Sequence, residues 1–469
     1  MTADLAELTG VALLTSRNPA DPADVLLRIP APGGFAVADA VERARAAQAG
    51  WLRGGAAARS AALGAVAAAV EAAGPELAAL AVREVGKPLT EARAEIARTV
   101  AIWRYYAQAP FEPTGAVHDT AAGPGLLLTR RRPYGVAGLI TPWNFPFAIP
   151  SWKAAPALAV GNTVALKPAP EATACALRLA EIVEKELPEG VFTVLPGGAT
   201  EGNALVSAAD VVSFTGSTAV GRAVAAYATA RGVPVQAEMG GLNAAIVLPD
   251  ADIGQAAAHI AAALAGYAGQ KCTATSRVIA VGAALDPLRE ALAEALRAVP
   301  AGDPADPATV CGPLIDERAR DRVAGAWQGL SALAGGTLPS GPGWYAAPTL
   351  VEKVPAEHPL LHEEVFGPIA ALLPADDLAQ AVRITNSVPY GLVTSVHTAG
   401  LDTALYCLDA LDGLDTGMVR INAPSSGVDF HLPFGGARGS SHGPREQGRA
   451  ALDFYASSRT YTLSPAETT

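Results

Sequence analysis

From Tyr134 onward the chain alternates short apolar runs with alanine-rich amphipathic stretches, and this alternation restricts the fold more than any other feature. Residues 135–140 are expected as a strand, 150–159 as a helix and 163–166 as a strand. A helix at 175–187, strands at 191–195 and 211–214 and a helix at 220–230 follow. A second series spans Ala244 to His397, with strands at 244–248, 277–280, 369–373 and 392–396. Parallel strands need a crossover of about a dozen or more residues, which the helical stretches supply. The expected class is α/β, with two doubly wound, Rossmann-like units. At 469 residues the chain is too long for one hydrophobic core, in agreement with that division.

Upstream the pattern is helical, at about 36–73, 75–86 and 90–108, with breaks at Gly74-Pro75 and Lys87-Pro88. Polar residues 111–125 lead into 126–132, an extended segment that reads as an arm rather than core.

With 34 basic against 45 acidic residues the net charge is -11, which argues against a nucleic-acid surface. The uncharged run from Pro133 to Trp152 has the length of a membrane span, but Pro142, Asn144, Pro146 and Pro150 would break the helix and expose polar groups to lipid. The first residues, Met1 to Glu7, contain no basic region followed by an apolar core, so a cytoplasmic protein is expected. Cys175, Cys272, Cys311 and Cys407 are far apart and show no metal-ligand pairing, and reduced thiols are expected. In His362-Glu363-Glu364-Val365-Phe366 the second histidine of a zinc helix is replaced by Phe366, so no metal site is expected.

Cys272 sits in Gly269-Gln270-Lys271-Cys272-Thr273-Ala274-Thr275. A single cysteine is most often inert packing. Three other segments change that reading: Thr141-Pro142-Trp143-Asn144-Phe145-Pro146, Glu238-Met239-Gly240-Gly241 and Glu364-Val365-Phe366-Gly367-Pro368. They supply an amide donor and carboxylates of the kind a thiol nucleophile needs. Phe214-Thr215-Gly216-Ser217-Thr218 falls at a strand-to-helix turn, where free N–H groups suit a pyrophosphate, although it is not a G-x-G-x-x-G fingerprint. Lys167 follows a strand in Val164-Ala165-Leu166-Lys167-Pro168, where it can reach a ligand crevice or simply be solvated.

In this combination and order, over about residues 15 to 465, the chain resembles the NAD(P)-dependent aldehyde dehydrogenase superfamily. The resemblance implies two Rossmann-like domains and an oligomerisation arm. It puts the NAD(P)-binding domain at 1–110 and 132–239, the catalytic domain at 240–428, and the arm and bridging segment at 111–131 and 429–469. It implies Cys272 as nucleophile, Asn144 as oxyanion donor, Glu238 as general base, and Lys153 and Glu446 in proton relay. For NAD or NADP it implies Thr141, Trp143, Lys167, Gly216, Ser217, Glu364 and Phe366. For a small aldehyde it implies a tunnel of Phe145, Trp152, Val428 and Phe434 with Ser426 nearby and the helix containing Arg98 along one wall. Arg98 is then a candidate cation for a distal carboxylate, or pairs with Glu91, Glu95 or another helix neighbour on the surface. The arm would pair with the C-terminal strand near Arg459 to Leu463 and join copies into a homodimer or homotetramer. The segments 269–277, 425–436 and 439–448 look most like the 2-oxoglutarate semialdehyde (2,5-dioxovalerate) dehydrogenase branch.

Two positions depart from the family pattern. Met239 stands where leucine is usual, a volume-conserving change. Pro170 stands where many NAD-preferring relatives place a glutamate, which removes repulsion against a 2′-phosphate, while Glu171 next to it can take over. A coenzyme-A-acylating enzyme is disfavoured by Glu238, and a cofactor-free cysteine hydrolase by the lack of a histidine in a partner motif. A non-catalytic member of the fold is disfavoured because every catalytic position is filled.

Overall fold

The computed structural model describes residues 12–409 and 413–465. Its two large sheets are built as the alternation predicts. The first contains, in spatial order, Ser441–His442, Val235–Glu238, Val211–Thr215, Val136–Thr141, Thr163–Pro168 and Phe192–Val194. All pair in parallel except Ser441–His442, which returns antiparallel to the edge. All six residues of Val136–Thr141 and of Thr163–Pro168 are buried, as expected for strands covered by helices on both faces.

The chain begins this sheet at Val136–Thr141, works outward to Phe192–Val194, and then returns to the other side with Val211–Thr215. The crossovers therefore diverge between Val136–Thr141 and Val211–Thr215. A crevice opens at the carboxyl ends of the strands at such a switch point, the usual place for a ligand in an open α/β sheet.

The second sheet has the order Ser331–Ala334, Thr349–Glu352, Ile369–Ala375, Thr275–Val281, Asn243–Val247, Val393–His397 and Met418–Ile421. Only the edge strand Ser331–Ala334 is antiparallel. A separate three-stranded antiparallel sheet joins Ala456–Leu463, Leu126–Pro133 and Gly115–His118, with Arg459 opposite Arg130.

Two expectations need correction. The helical stretch 36–73 is two helices, Gly33–Arg53 and Gly55–Ala72, because Gly55 adopts φ +80°, a left-handed conformation that stops helix propagation at little cost for glycine. The chain before them is not helical: Leu13–Asn18 and Asp21–Pro30 form a hairpin with an irregular register. The strands Ser331–Ala334, Thr349–Glu352 and Met418–Ile421 were also not anticipated. Among the described residues no single helix is long and apolar enough to cross a membrane.

Helix Leu89–Gln108 brings charge into the interior. It buries Ala92, Ile96, Val100, Ile102, Trp103 and Tyr106 against the helical layer. It also buries Glu95, whose Oε1 accepts the backbone N–H groups of Phe147 and Ala148, each at 2.9 Å. Glu95 Oε2 pairs with the fully buried Lys87, and the Lys87 ammonium lies 3.8 Å from the Phe145 ring centroid. Removing one member of such a pair strands a buried charge, at a cost of about 3–5 kcal/mol.

Candidate active site

The carboxyl edge of the first sheet faces the amino edge of the second. Asn144 follows strand Val136–Thr141, Gly216 and Ser217 follow Val211–Thr215, and Glu238 ends Val235–Glu238. From the other side, Cys272 precedes Thr275–Val281, while Glu364 and Phe366 precede Ile369–Ala375.

The loop bearing Cys272 is held tightly. Tyr267 and Ala268 adopt φ of 53° and 51°, costly for residues with a Cβ and tolerated where surrounding bonds enforce them. The Tyr267 hydroxyl donates to Val85 O at 2.9 Å, and its N–H to Val310 O at 3.0 Å. Gln270 donates to Pro313 O at 3.1 Å and accepts Ile315 N–H at 2.8 Å. Asn243 Nδ2 donates to the carbonyls of Cys272 and Ala274 at 2.7 and 2.8 Å, and Ser425 Oγ to Thr273 O at 2.7 Å.

Two cavities share Cys272. One is a cleft of about 440 Å³ at the switch point, lined by Trp143, Asn144, Glu171, Gly216, Ser217, Met239, Gly240, Glu364 and Phe366 among others. The other is a smaller cavity of about 100 Å³, lined by Glu91, Glu95, Arg98, Phe145, Trp152, Lys271, Val428 and Phe434 among others. Thr215 and Ile149 also line both. A larger groove of about 980 Å³, with Ile96, Val100 and Tyr105 in its wall, lies on the opposite face of helix Leu89–Gln108 and contains no cysteine.

The electrostatics around the thiol are acidic. Burial pushes Cys272 up to about 12, with help from the carboxylates of Glu364, Glu238 and Glu446. Of the four free cysteines it alone is not fully buried. Asn144 Nδ2 donates to Gln270 O at 2.9 Å, which fixes which end of the amide carries nitrogen and leaves a second N–H available.

Glu238 is 2% exposed, and burial, then the nearby Glu446 carboxylate, raise it well above the usual carboxylate range. Lys153 Nζ pairs with Glu446 Oε1 with both side chains enclosed, and also donates to Ser213 Oγ at 2.7 Å. Trp152 Nε1 donates to the other Glu446 oxygen at 2.8 Å.

The cleft has features that suit a nicotinamide dinucleotide. Helix Thr218–Ala230 starts there with no side chain capping its first N–H groups, and the buried hydroxyls of Thr215 and Thr218 have no partner. Trp143 and Phe366 meet edge to face at 5.8 Å to form a wall. Burial raises the Glu364 carboxyl to about 7 while Gly241 N–H donates to it at 3.2 Å. Gly240 is required for this approach, since a Cβ there would lie 1.8 Å from Glu364 Oε2.

Three further expected residues adjoin the walls of the two cavities, and Lys167 interacts electrostatically with Glu171 in the cleft wall. Lys167 is buried outside the lining of the cleft, its Nζ donating to Pro168 O and Gly197 O at 2.6 and 2.9 Å, and burial lowers it to about 8. Thr141 is buried with an unpartnered hydroxyl and is likewise outside the lining. Ser426 does not line the smaller cavity, where its neighbours Gly427 and Val428 do. Conversely, Arg318 and Arg322 line the cleft and Lys271 the smaller cavity. Arg318 and Arg322 lie in an ordinary amphipathic helix, Glu317–Ala326, and carry no motif that marks them.

A cleft of about 440 Å³ at a sheet switch point, sharing a thiol with a second cavity, suits an enzyme that brings a bound nucleotide beside a cysteine. Residues 10–461 match the family described as "Aldehyde dehydrogenase family". An alpha-ketoglutaric semialdehyde dehydrogenase of Bacillus subtilis (strain 168) is 39% identical over 96% of this chain and 94% of its own length. An alpha-ketoglutarate semialdehyde dehydrogenase of Haloferax volcanii is 35% identical over 98% and 96%. An NAD-dependent aldehyde dehydrogenase from Sinorhizobium meliloti superposes with a TM-score of 0.92 at 34% identity, covering 97% of this chain and 92% of that one. The chain belongs to the aldehyde dehydrogenase family, enzymes that oxidise aldehydes with a nicotinamide dinucleotide.

Proposed function

We propose that this enzyme oxidises a short aldehyde bearing a distal carboxylate, such as 2-oxoglutarate semialdehyde, to the free acid. The observation that carries the reading is the state of Arg98. It lines the cavity that contains Cys272, is half-buried, and makes no ion pair with any described residue. Its two acidic helix neighbours are engaged elsewhere, Glu95 by Lys87 and Glu91 by Lys271. Arg98 feels the charge of Glu91 on the same wall but forms no direct ion pair with it, and such a guanidinium beside a thiol suits an anionic substrate. The names of the semialdehyde-oxidising relatives support the same class.

The residues divide the chemistry as follows. The Cys272 sulfur, once deprotonated, adds to the aldehyde carbon, and the carbonyl electron pair moves to oxygen. Asn144 Nδ2 and the Cys272 backbone N–H donate to that alkoxide. A bound nicotinamide dinucleotide supplies the hydride acceptor and a positive charge in the cleft that Cys272 lines. With the hydride gone, the acyl group remains on sulfur as a thioester. Glu238 takes a proton from water, the water oxygen adds to the thioester carbon, and the thiolate leaves as the acid is released. Glu446 and Lys153 provide the buried path for that proton. Glu364, Trp143, Phe366, Gly216 and Ser217 would hold the dinucleotide, and Phe145, Trp152, Val428 and Phe434 would enclose the aldehyde chain.

The domains are read as 1–110 with 132–239 for the dinucleotide and 240–428 for catalysis. The small three-stranded sheet is read as an arm joining copies into a homodimer or homotetramer. Its edge strand Gly115–His118 is exposed throughout, which leaves main-chain groups available to a neighbour.

Arg98→Leu tests the substrate class. A charge-assisted contact contributes roughly 1.5–3 kcal/mol, so kcat/KM for a semialdehyde acid is expected to fall about ten- to a hundredfold. Uncharged aldehydes of equal length keep their values. Equal losses for both would remove the anchoring role.

Cofactor choice gives a further expectation. Glu171 lines the cleft while Pro170 beside it offers no carboxylate. Pro170→Glu is expected to shift the ratio of kcat/KM values toward NAD over NADP by about tenfold, through repulsion of a 2′-phosphate. An unchanged ratio would place discrimination elsewhere, with Glu171 the first residue to test.

A further inference from the structure

Glu238 is held by a contact that the reaction scheme does not use. The segment after Phe434 folds back so that Ser441 lies opposite Glu238 at the antiparallel edge of the first sheet. Ser441 Oγ accepts the Gly436 N–H at 2.6 Å and donates to Glu238 Oε2 at 2.5 Å. The first bond occupies a lone pair and leaves the hydroxyl proton for the carboxylate.

The other oxygen, Glu238 Oε1, is buried with no partner. Gly435 packs against it, where a Cβ would come within 2.7 Å and where φ of +154° already favours glycine. Glu238 is not among the described residues lining either of the cavities that share Cys272. The carboxylate thus rests beside those cavities, anchored through one oxygen and unpaired at the other.

We propose that Ser441 is a positioning residue for the deacylating base, holding Glu238 through Oε2 and leaving Oε1 to take the proton of the hydrolytic water. The inference rests on the reading of Glu238 as that base. Several charges face the same carboxylate. Lys153 comes from helix Ala148–Val160, Arg445 and Glu446 from the C-terminal segment, and Cys272 from its own loop. Lys153 and Arg445 favour ionisation of Glu238 as Ser441 does, whereas burial and Glu446 oppose it. Ser441 is the neutral contributor, and its hydroxyl can be removed without changing net charge.

A donor to the ionised form lowers the pH at which a carboxyl protonates, so losing that donor raises it. In Ser441→Ala and Ser441→Gly the acid limb of steady-state kcat is expected to move up by about one pH unit. The rate of the pre-steady-state burst of reduced nicotinamide keeps its own pH dependence, which separates Glu238 from Glu364, raised to about 7 in the cleft. Ser441→Thr, which retains a hydroxyl, restores the original limb. In a Glu238→Gln background, Ser441→Ala adds nothing to the loss of turnover.

An unmoved acid limb in both the alanine and glycine variants, or a threonine variant that behaves like alanine, overturns the role of Ser441. Failure of the base assignment is read separately. If Glu238→Gln alone keeps full turnover, Glu238 is not the base and the proposal falls with it. If Glu238→Gln slows turnover and Ser441→Ala slows it further, Ser441 acts on something other than Glu238.

Discussion

Cys272→Ala is expected to lower aldehyde-dependent reduction of the dinucleotide by about ten-thousandfold or more while leaving dinucleotide binding unchanged. The size follows from removing the proposed nucleophile, since loss of a covalent nucleophile leaves only the contributions of binding and oxyanion donors. The selectivity follows from geometry. The alanine retains the backbone N–H and the loop, whose bonds run through Tyr267, Gln270, Asn243 and Ser425 rather than through the thiol. Stopped-flow turnover and a direct titration of the dinucleotide read the two quantities independently. A variant that retains a few per cent of activity would place the nucleophile elsewhere.

Glu238→Gln is expected to split the reaction. Its first turnover should release reduced nicotinamide at close to the normal rate, because hydride leaves before water is needed. Steady-state turnover should then fall about a hundred- to a thousandfold, the range that a positioned general base contributes. The amide is nearly isosteric, and it removes the negative charge that helps push Cys272 up to about 12. The thiol should therefore deprotonate at a slightly lower pH in the variant, and the burst should not slow. Loss of the burst with both ligands bound would give Glu238 a part in activating the thiol as well.

Much of the architecture was legible because a parallel strand covered on both faces leaves a dense apolar signature. Val136–Thr141 and Thr163–Pro168 are buried at every position and were readable as runs. The hairpin Leu13–Asn18 with Asp21–Pro30 was not readable, since its second strand is half-exposed and its pairing register shifts, which erases a clean alternation. The break at Gly55 was hidden by alanine-rich sequence on both sides, where only a backbone angle marks the boundary.

The candidate site divides in the same way. Cys272, Asn144, Glu238, Glu364 and Phe366 stand in short motifs whose residue types carry their chemistry. That Arg98 makes no direct ion pair is not local information. It depends on Lys87 reaching Glu95 and Lys271 reaching Glu91, and the sequence alone allowed Arg98 to pair with either glutamate. Ser441 was invisible as a partner of Glu238 because some two hundred residues separate them and only the antiparallel return of the C-terminal segment brings them together. Lys167, singled out by its position after a strand, gives two of its three N–H donors to backbone carbonyls and interacts electrostatically with Glu171 in the cleft wall, none of which its local sequence shows.

The central claim is that the acyl group passes through Cys272 and waits there for Glu238. It is tested most directly by mixing Glu238→Gln with oxidised dinucleotide and a semialdehyde acid, quenching in acid after the burst, and measuring the intact and peptide masses. The account predicts about one acyl group per chain, confined to the peptide containing Cys272 and absent when the dinucleotide is omitted. An unmodified Cys272 peptide after a full burst, or an adduct on Cys175, Cys311 or Cys407 instead, would contradict it.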